Sequence, residues 1–193
     1  GQDIYKIDFD GNLIGKISTN NYINSFSSSP SGKVYVNVDG NQGMEIKTIN
    51  DKFSDFDKTI PVEGWGSVYA ADDENLLYCT YSGLQLINVN TNEKKSLFSW
   101  INVDVDSTNF DNVIMNEDGS FTVLYYDYEN GKYEIVKIRE ALESEKGKKE
   151  TLVLGTYFLD SDVRRSIVKF NRNNSSARIK VVEYMNDDTI SYE

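Results

Sequence analysis

Two groups of residues have types and spacing that could support chemistry: a run of acids and a tryptophan between glycines. Asp72, Asp73 and Glu74 are consecutive, and paired carboxylates are what glycoside hydrolysis requires. Because they separate two apolar segments, a turn is the favoured interpretation. Trp65 has glycine on both sides, which leaves its indole free to stack on a sugar ring. A core tryptophan at the start of a strand is the favoured alternative, but Trp65 stays a candidate ligand-binding residue.

Two tyrosines further along the chain could extend an aromatic binding surface. They are Tyr126 and Tyr128, next to an Asp-containing segment. The alternative is that they line one face of a sheet, since tyrosine fits a half-buried pleated surface. We therefore predict Trp65, Tyr126 and Tyr128 as the ligand-binding residues.

Acids at alternate positions are the remaining candidates, because they could ligate a cation. Asp8, Asp10 and Asn12 resemble the start of a calcium loop, but the glutamate that closes such a loop is missing. A hairpin turn is the favoured interpretation. Asp104 and Asp106 could chelate a cation from one strand face, although solvated loop carboxylates are favoured. We predict no metal site.

The composition excludes many classes of enzyme. The 193 residues include no histidine, which excludes a Ser-His-Asp triad, a Cys-His pair and a histidine-ligated zinc site. The one cysteine, Cys79, has no basic neighbour and is expected to be a small core residue. A net charge of −11 argues against nucleic acid and anionic membrane as partners. We predict no enzyme, no catalytic residue and no cofactor.

The elements that would position these residues are short strands that recur with a period. Three passages each contain a strand, a polar turn, a second strand, a second turn and a third strand. Their first turns include Gly32, Glu74 and Gly119, which are 42 and 45 residues apart. Residues 57–61 and 95–100 supply a fourth strand. This period is typical of four-stranded β-propeller blades.

Three regions follow from this pattern. Residues 4–17 match the last two strands of a preceding blade, so residues 1–138 are predicted to hold about three and a half propeller-like repeats of 42–45 residues. Residues 139–150 are charged and predict a linker or a short exposed helix. Residues 151–193 predict a short βαβ unit. The fold class is therefore mainly β, with propeller-like blades followed by this unit.

The βαβ unit has one apolar strand, one helix and one alternating strand. Residues 151–157 form a continuous apolar run that predicts a buried strand. Asp160 is a candidate N-cap, and residues 178–184 alternate as a second strand. The expected inward face of the helix has Val163, Ile167 and Phe170, and the outward face has Arg164, Arg165, Lys169 and Arg172.

This unit resembles the opening of bacterial extracellular solute-binding proteins, the ligand-capturing lipoproteins of ABC importers, particularly the sugar-binding type. The resemblance consists of the strand 151–157, a short polar turn, a helix that ends in Phe170-Asn171, and the strand 178–184. It implies an extracellular protein of carbohydrate uptake or sensing, with a lipid anchor outside this chain. Such proteins close two lobes around a solute, and residues 151–193 would be a truncated start of the first lobe. No binding residue is carried over from the family.

Three functions fit these observations. The first is a non-catalytic extracellular binding module of a solute-binding lipoprotein, with a small solute such as a sugar, or a protein, as partner. The second is a self-contained propeller that serves as a protein-interaction scaffold, with the tail supplying the closing strands. The third is a carbohydrate-active enzyme. Open sheet edges also predict a homodimer.

Overall fold

The computed structural model describes residues 1–40, 43–106, 110–127, 130–145 and 147–184. It is mainly β, as the sequence predicts, and strands that are neighbours along the chain pair in each of the sheets formed by the described residues. The predicted hairpin is formed by β1 (Asp3–Ile7) and β2 (Leu13–Ser18).

Two four-stranded antiparallel meanders follow, each with the architecture of a propeller blade. The first contains, in spatial order, β3 (Ile23–Ser28), β4 (Val34–Gly40), β5 (Gly43–Ile49) and β6 (Phe56–Val62). The second contains β7 (Gly66–Ala70), β8 (Asn75–Thr80), β9 (Gly83–Asn88) and β10 (Lys94–Ser99). The fourth strands predicted from the sequence are therefore present as β6 and β10.

A three-stranded sheet and a βαβ unit complete the described chain. The sheet contains β11 (Phe110–Met115), β12 (Phe121–Asp127) and β13 (Lys132–Ile138). The βαβ unit contains β14 (Glu150–Thr156), α1 (Ser161–Asn173) and β15 (Ala177–Glu183). β14 and β15 pair with each other, in parallel, and form a two-stranded sheet among the described residues. No helix among the described residues is long and apolar enough to cross a membrane.

The chain divides into two compact units. The first comprises residues 1–97 and 112–115, and the second comprises residues 98–111 and 116–193. The predicted boundaries near residues 138 and 150 stay predictions.

In the first unit, the two blades pack through one apolar core. Ten buried side chains form it: Tyr35, Met44, Ile46, Ile60, Val62, Val68, Leu76, Tyr78, Ile87 and Val89. They come from alternate positions of strands in both blades, which is the pattern that pleated strands bury on one face.

The inner strands of these two blades, β3 and β7, lie side by side in the same direction. The backbone amide of Val68 donates to Ser25 Oγ (3.0 Å), and that of Ala70 donates to Ser27 Oγ (2.8 Å). Serine hydroxyls thus accept hydrogen bonds from backbone amides on the edge of β7 that faces β3. In a continuous sheet, a neighbouring strand would accept these bonds. Both pairs are 43 residues apart, so each strand occupies the same place in its repeat.

The acidic run between β7 and β8 is a turn, as favoured from the sequence. Asp72 Oδ1 accepts hydrogen bonds from the backbone amides of Glu74 (2.7 Å) and Asn75 (2.8 Å). Asp73 Oδ1 accepts from the backbone amide of Ser31 in the first blade (3.0 Å). Aspartate does this readily because its short side chain reaches nearby amides.

In the second unit, the 3₁₀ helix Trp100–Val103 packs against Phe110 and against the βαβ unit. Trp100 is fully buried and stacks on Phe110, with ring centroids 4.1 Å apart. Ile101 packs against α1 and β15 in a second core, whose other buried members are Leu159, Ile167, Val168 and Val181. This part of the chain therefore has a core of its own.

Two expectations for the βαβ unit are wrong. β14 is not buried: Leu152 is 50% exposed and Val153 is 66% exposed, because the core beside α1 is built on β15 and includes no residue of β14. The helix faces are also rotated from the expected ones. Arg164 is 1% exposed while Val163 is exposed, and the Arg164 guanidinium is buried with a partner, since it donates to Glu183 Oε1 (2.8 Å).

Candidate functional site

Trp65 lies in the corner between β6 and β7, and it is 65% exposed. It is therefore not a core tryptophan, which was the alternative favoured from the sequence. Both flanking glycines are required by this corner. Gly64 has a φ of +70°, in the left-handed region that glycine adopts without steric cost. A Cβ on Gly66 would lie 2.5 Å from the carbonyl oxygen of Cys79, which is too close for any side chain.

Two fully buried side chains fix the backbone on either side of Trp65. The Tyr78 hydroxyl donates a hydrogen bond to the Gly64 carbonyl oxygen (2.7 Å), and the Asn37 side-chain amide donates to the Gly66 carbonyl oxygen (2.6 Å). Burial raises the pKa of Tyr78 to about 12, so its hydroxyl stays protonated and keeps donating near neutral pH. The corner therefore presents an exposed indole on a fixed support.

The connections around Trp65 are polar and carry no positive charge. Residues 19–22 lead into β3, residues 63–65 lead into β7, and residues 81–82 join β8 to β9 beside the start of β7, where Gly66 pairs with Thr80. None of these segments contains lysine or arginine. An anionic ligand would find no ion-pair partner in them, whereas a neutral polar ligand would meet amide, hydroxyl and aromatic groups.

The two tyrosines predicted as ligand-binding residues have different outcomes. Tyr126 is partly buried in β12, and its ring packs edge-on against Tyr133, with centroids 5.1 Å apart. Tyr128 lies outside the described residues. Trp65 belongs to the first unit and Tyr126 to the second. The ligand-binding role of all three stays a prediction.

Two acids of the β7–β8 turn, Asp72 and Asp73, have a lowered pKa. Burial acts to raise the pKa of Asp72, but hydrogen bonds from Asn75 and Glu74 outweigh it and lower the pKa. Hydrogen bonds from Ser29 and Ser31 lower the pKa of Asp73. A general acid needs a raised pKa so that it holds a proton near neutral pH. These carboxylates therefore stabilise the turn.

The remaining chemical candidates have structural partners. Cys79 is a buried core residue, as predicted, and burial raises the pKa of its thiol to about 12. Asp8 accepts from the backbone amides of Asp10 and Asn12 within the β1–β2 turn, as the hairpin interpretation expects. Asp104 Oδ1 accepts from the Asn171 side-chain amide (2.7 Å). Within the described ranges, no three acidic or cysteine side chains are grouped so that they could hold a metal.

Asn37, which was not predicted from the sequence, supports the corner from inside the core. A signal was present, because Asn37 is a polar residue between Val36 and Val38 in a strand whose other central residues are apolar. A buried amide in such a strand must find hydrogen-bond partners. One of its partners is the backbone that carries Trp65.

No protein-family model matches the chain, and no curated protein matches it. Several solved structures are similar. A protein of unknown function from Bacteroides caccae is 15% identical, with a TM-score of 0.47 over 75% of this chain and 60% of that one. Virginiamycin B lyase from Staphylococcus aureus is 10% identical, with a TM-score of 0.46 over 72% of this chain and 50% of that one.

A third similar structure is the extracellular domain of a hybrid two-component system from B. thetaiotaomicron. It is 10% identical, with a TM-score of 0.45 over 68% of this chain and 20% of that one. The chain thus spans from a fifth to three fifths of the lengths of these three proteins. At this level of similarity, none of their activities is assigned to this chain.

Proposed function

We propose that this chain is a non-catalytic binding module of an extracellular bacterial protein and that Trp65 contacts its ligand. The observation that carries the proposal is the exposed indole of Trp65, supported through Gly64 and Gly66 by two buried hydrogen-bond donors. Exposing a large aromatic side chain on a fixed backbone loses the stability that its burial would give. A binding role accounts for that loss.

The proposed ligand is a neutral carbohydrate. The indole offers a flat apolar face with a polar edge, which suits stacking on a sugar ring. The absence of lysine and arginine from residues 19–22, 63–65 and 81–82, together with the net charge of −11, disfavours anionic ligands. The exposed tryptophan would also suit a protein partner, since tryptophan is enriched at the centres of interfaces.

The wider role that we propose is solute capture for carbohydrate uptake or sensing, by a lipoprotein. Support comes from the resemblance of residues 151–184 to the opening of solute-binding proteins. The β14–α1–β15 order and the parallel pairing of the two strands agree with that resemblance.

We also propose that two copies associate through open sheet edges, because β14 has exposed apolar residues and, among the described residues, pairs only with β15.

The test is binding of a panel of neutral and charged oligosaccharides, measured by calorimetry on the whole chain and on Trp65→Ala. We expect a neutral glycan to bind, and Trp65→Ala to weaken its binding about tenfold or more, the loss of one stacked ring. The matched control is Phe9→Ala, which removes a fully exposed aromatic ring at the tip of the β1–β2 hairpin. Equal affinity of Trp65→Ala and the parent chain would contradict the proposal, as would binding of anionic glycans only.

A further inference from the structure

A second exposed aromatic residue occupies the position of Trp65 in the preceding blade. Tyr22 comes directly before β3, just as Trp65 comes directly before β7, and it is 60% exposed. Tyr22 is not distinctive in the sequence, because a tyrosine before a strand is common in a β protein. Its significance comes from the relation between β3 and β7.

The shared direction of β3 and β7 places Tyr22 and Trp65 at the same end of the two strands. Ser25 accepts from Val68, and Ser27 accepts from Ala70, so the two strands run in the same direction with an offset of 43 residues. β3 has an irregularity between Ile23 and Ser25, whereas β7 pairs regularly with β8, so the offset of 43 residues does not fix an exact register as far as Tyr22. Because each aromatic residue directly precedes its strand and the two strands run in the same direction, Tyr22 and Trp65 lie at the same end of this strand pair in the first unit.

The backbone at Tyr22 is held in place, as it is at Trp65. The Tyr22 carbonyl oxygen accepts a hydrogen bond from the backbone amide of Asp39 (3.0 Å). In the segment just before it, Thr19 Oγ1 bonds to the backbone of Asn21. A ring on a fixed backbone loses less conformational entropy on binding than one on a mobile loop.

We infer that Tyr22 and Trp65 together form one binding platform and that its ligand is a neutral oligosaccharide rather than a single sugar. This inference rests on the proposed function. β3 and β7 are linked through serine side chains and not by a backbone ladder, so they lie further apart than the roughly 4.8 Å between strands of a sheet. One sugar ring covers one aromatic ring, and contact with both therefore requires at least two linked sugars.

The charge around the platform disfavours an anionic ligand. Glu63 lies two residues before Trp65, Asp39 is bonded to the Tyr22 backbone, and the connecting segments 19–22 and 63–65 contain no basic residue. A cationic ligand held over the two rings is the competing possibility, because aromatic faces attract cations. The experiment below separates the two.

The experiment measures the affinity of the whole chain for neutral hexose oligosaccharides of one to six units and for tetramethylammonium. We expect affinity to rise about tenfold from one unit to two or three and then to level off. In Tyr22→Ala this rise should disappear while the single sugar still binds. In Tyr22→Phe, which keeps the ring, the rise should remain. The matched control is Tyr5→Ala, which removes a similarly exposed tyrosine (56%) from the β1–β2 hairpin.

The outcomes separate this inference from the proposed function. If Trp65→Ala abolishes binding but Tyr22→Ala leaves the length dependence unchanged, the platform is wrong and the proposed function stands. If no neutral sugar binds, or if Trp65→Ala has no effect, both are overturned. Tighter binding of tetramethylammonium than of any sugar, lost in both variants, would overturn the carbohydrate as ligand. Far-ultraviolet circular dichroism of each variant shows whether it is folded.

Discussion

Removal of one asparagine side chain should expose one edge of β15. Two carboxamides take the place of a neighbouring strand there. The Asn102 side chain accepts from the Val181 amide (2.9 Å) and donates to the Val181 carbonyl (3.0 Å). The Asn171 side chain does the same for Ile179, with distances of 2.7 and 2.9 Å. Since alternate residues of a strand point their amides to the same side, Ile179 and Val181 share the edge opposite β14.

The expected cost of Asn102→Ala follows from the bonds that it removes. Each hydrogen bond contributes about 0.5–1.5 kcal/mol net, so two contribute about 1–3 kcal/mol. The result should lie in the upper half of that range, because Val181 is buried and its backbone groups would lose partners that water replaces poorly. Asn171→Ala should cost more, since Asn171 also donates to Asp104.

The assay is amide hydrogen exchange followed residue by residue, together with urea unfolding. In Asn102→Ala the Val181 amide should lose protection first, while the Ile179 amide keeps its partner Asn171. In Asn171→Ala the order should reverse. The Val182 amide faces β14 and serves as the internal reference in both variants.

A specific result would refute this reasoning. If the Val181 amide keeps its protection in Asn102→Ala, the carboxamide does not protect the edge. The two variants could also lose protection equally at Ile179 and Val181, with an unchanged free energy of unfolding. That result would show that the whole edge of β15 exchanges together and that the two asparagines do not protect separate amides.

Three further predictions concern packing, pH and reactivity. Gly66→Ala should destabilise the chain by about 1–3 kcal/mol, measured by urea unfolding, because the added methyl group overlaps the Cys79 carbonyl. The hydrogen bond from the Tyr125 hydroxyl, aided by the charge of Arg172, lowers the pKa of Glu134 below its ordinary value of 4.5. The ionised Glu134 therefore stabilises the folded chain above pH 4.5, and this stabilisation is lost as the pH falls through the lowered pKa of the folded state. Glu134→Gln should flatten the pH dependence of the thermal unfolding temperature between about pH 3 and 6. Cys79 should resist iodoacetamide in the folded protein and react after unfolding, because burial of its thiol raises the pKa to about 12. Mass spectrometry measures the fraction of chain that is alkylated.

Much of the β architecture could be predicted from the sequence because its signals are local. Strand alternation and turn residues act over a few positions, which is why the three repeats and the fourth strands of the first two blades are found at the predicted places. The N-cap at Asp160 is local too, since its side chain accepts from the Asp162 amide two residues away (2.8 Å).

The errors in the βαβ unit arose from partners that are distant in sequence. Arg164 was assigned to the outward face of α1 because an arginine is costly to bury without a partner. Its partner, Glu183, is 19 residues away on β15, and periodicity within the helix carries no information about it. The exposure of β14 has the same origin. An apolar run indicates a strand, but what covers the strand depends on other elements.

The exposed position of Trp65 could not be predicted from the sequence for a related reason. Glycines on both sides of a tryptophan fit a tight core corner as well as an exposed one. Tyr78 and Asn37 distinguish the exposed corner from a buried one. Tyr78 binds the carbonyl of Gly64, 14 residues away, and Asn37 binds the carbonyl of Gly66, 29 residues away. Burying these polar side chains would be unfavourable without those bonds. The buried hydroxyl and amide therefore require this backbone path, and on this path the indole lies outside the core. Buried hydrogen bonds of the first unit thus determine that Trp65 is exposed.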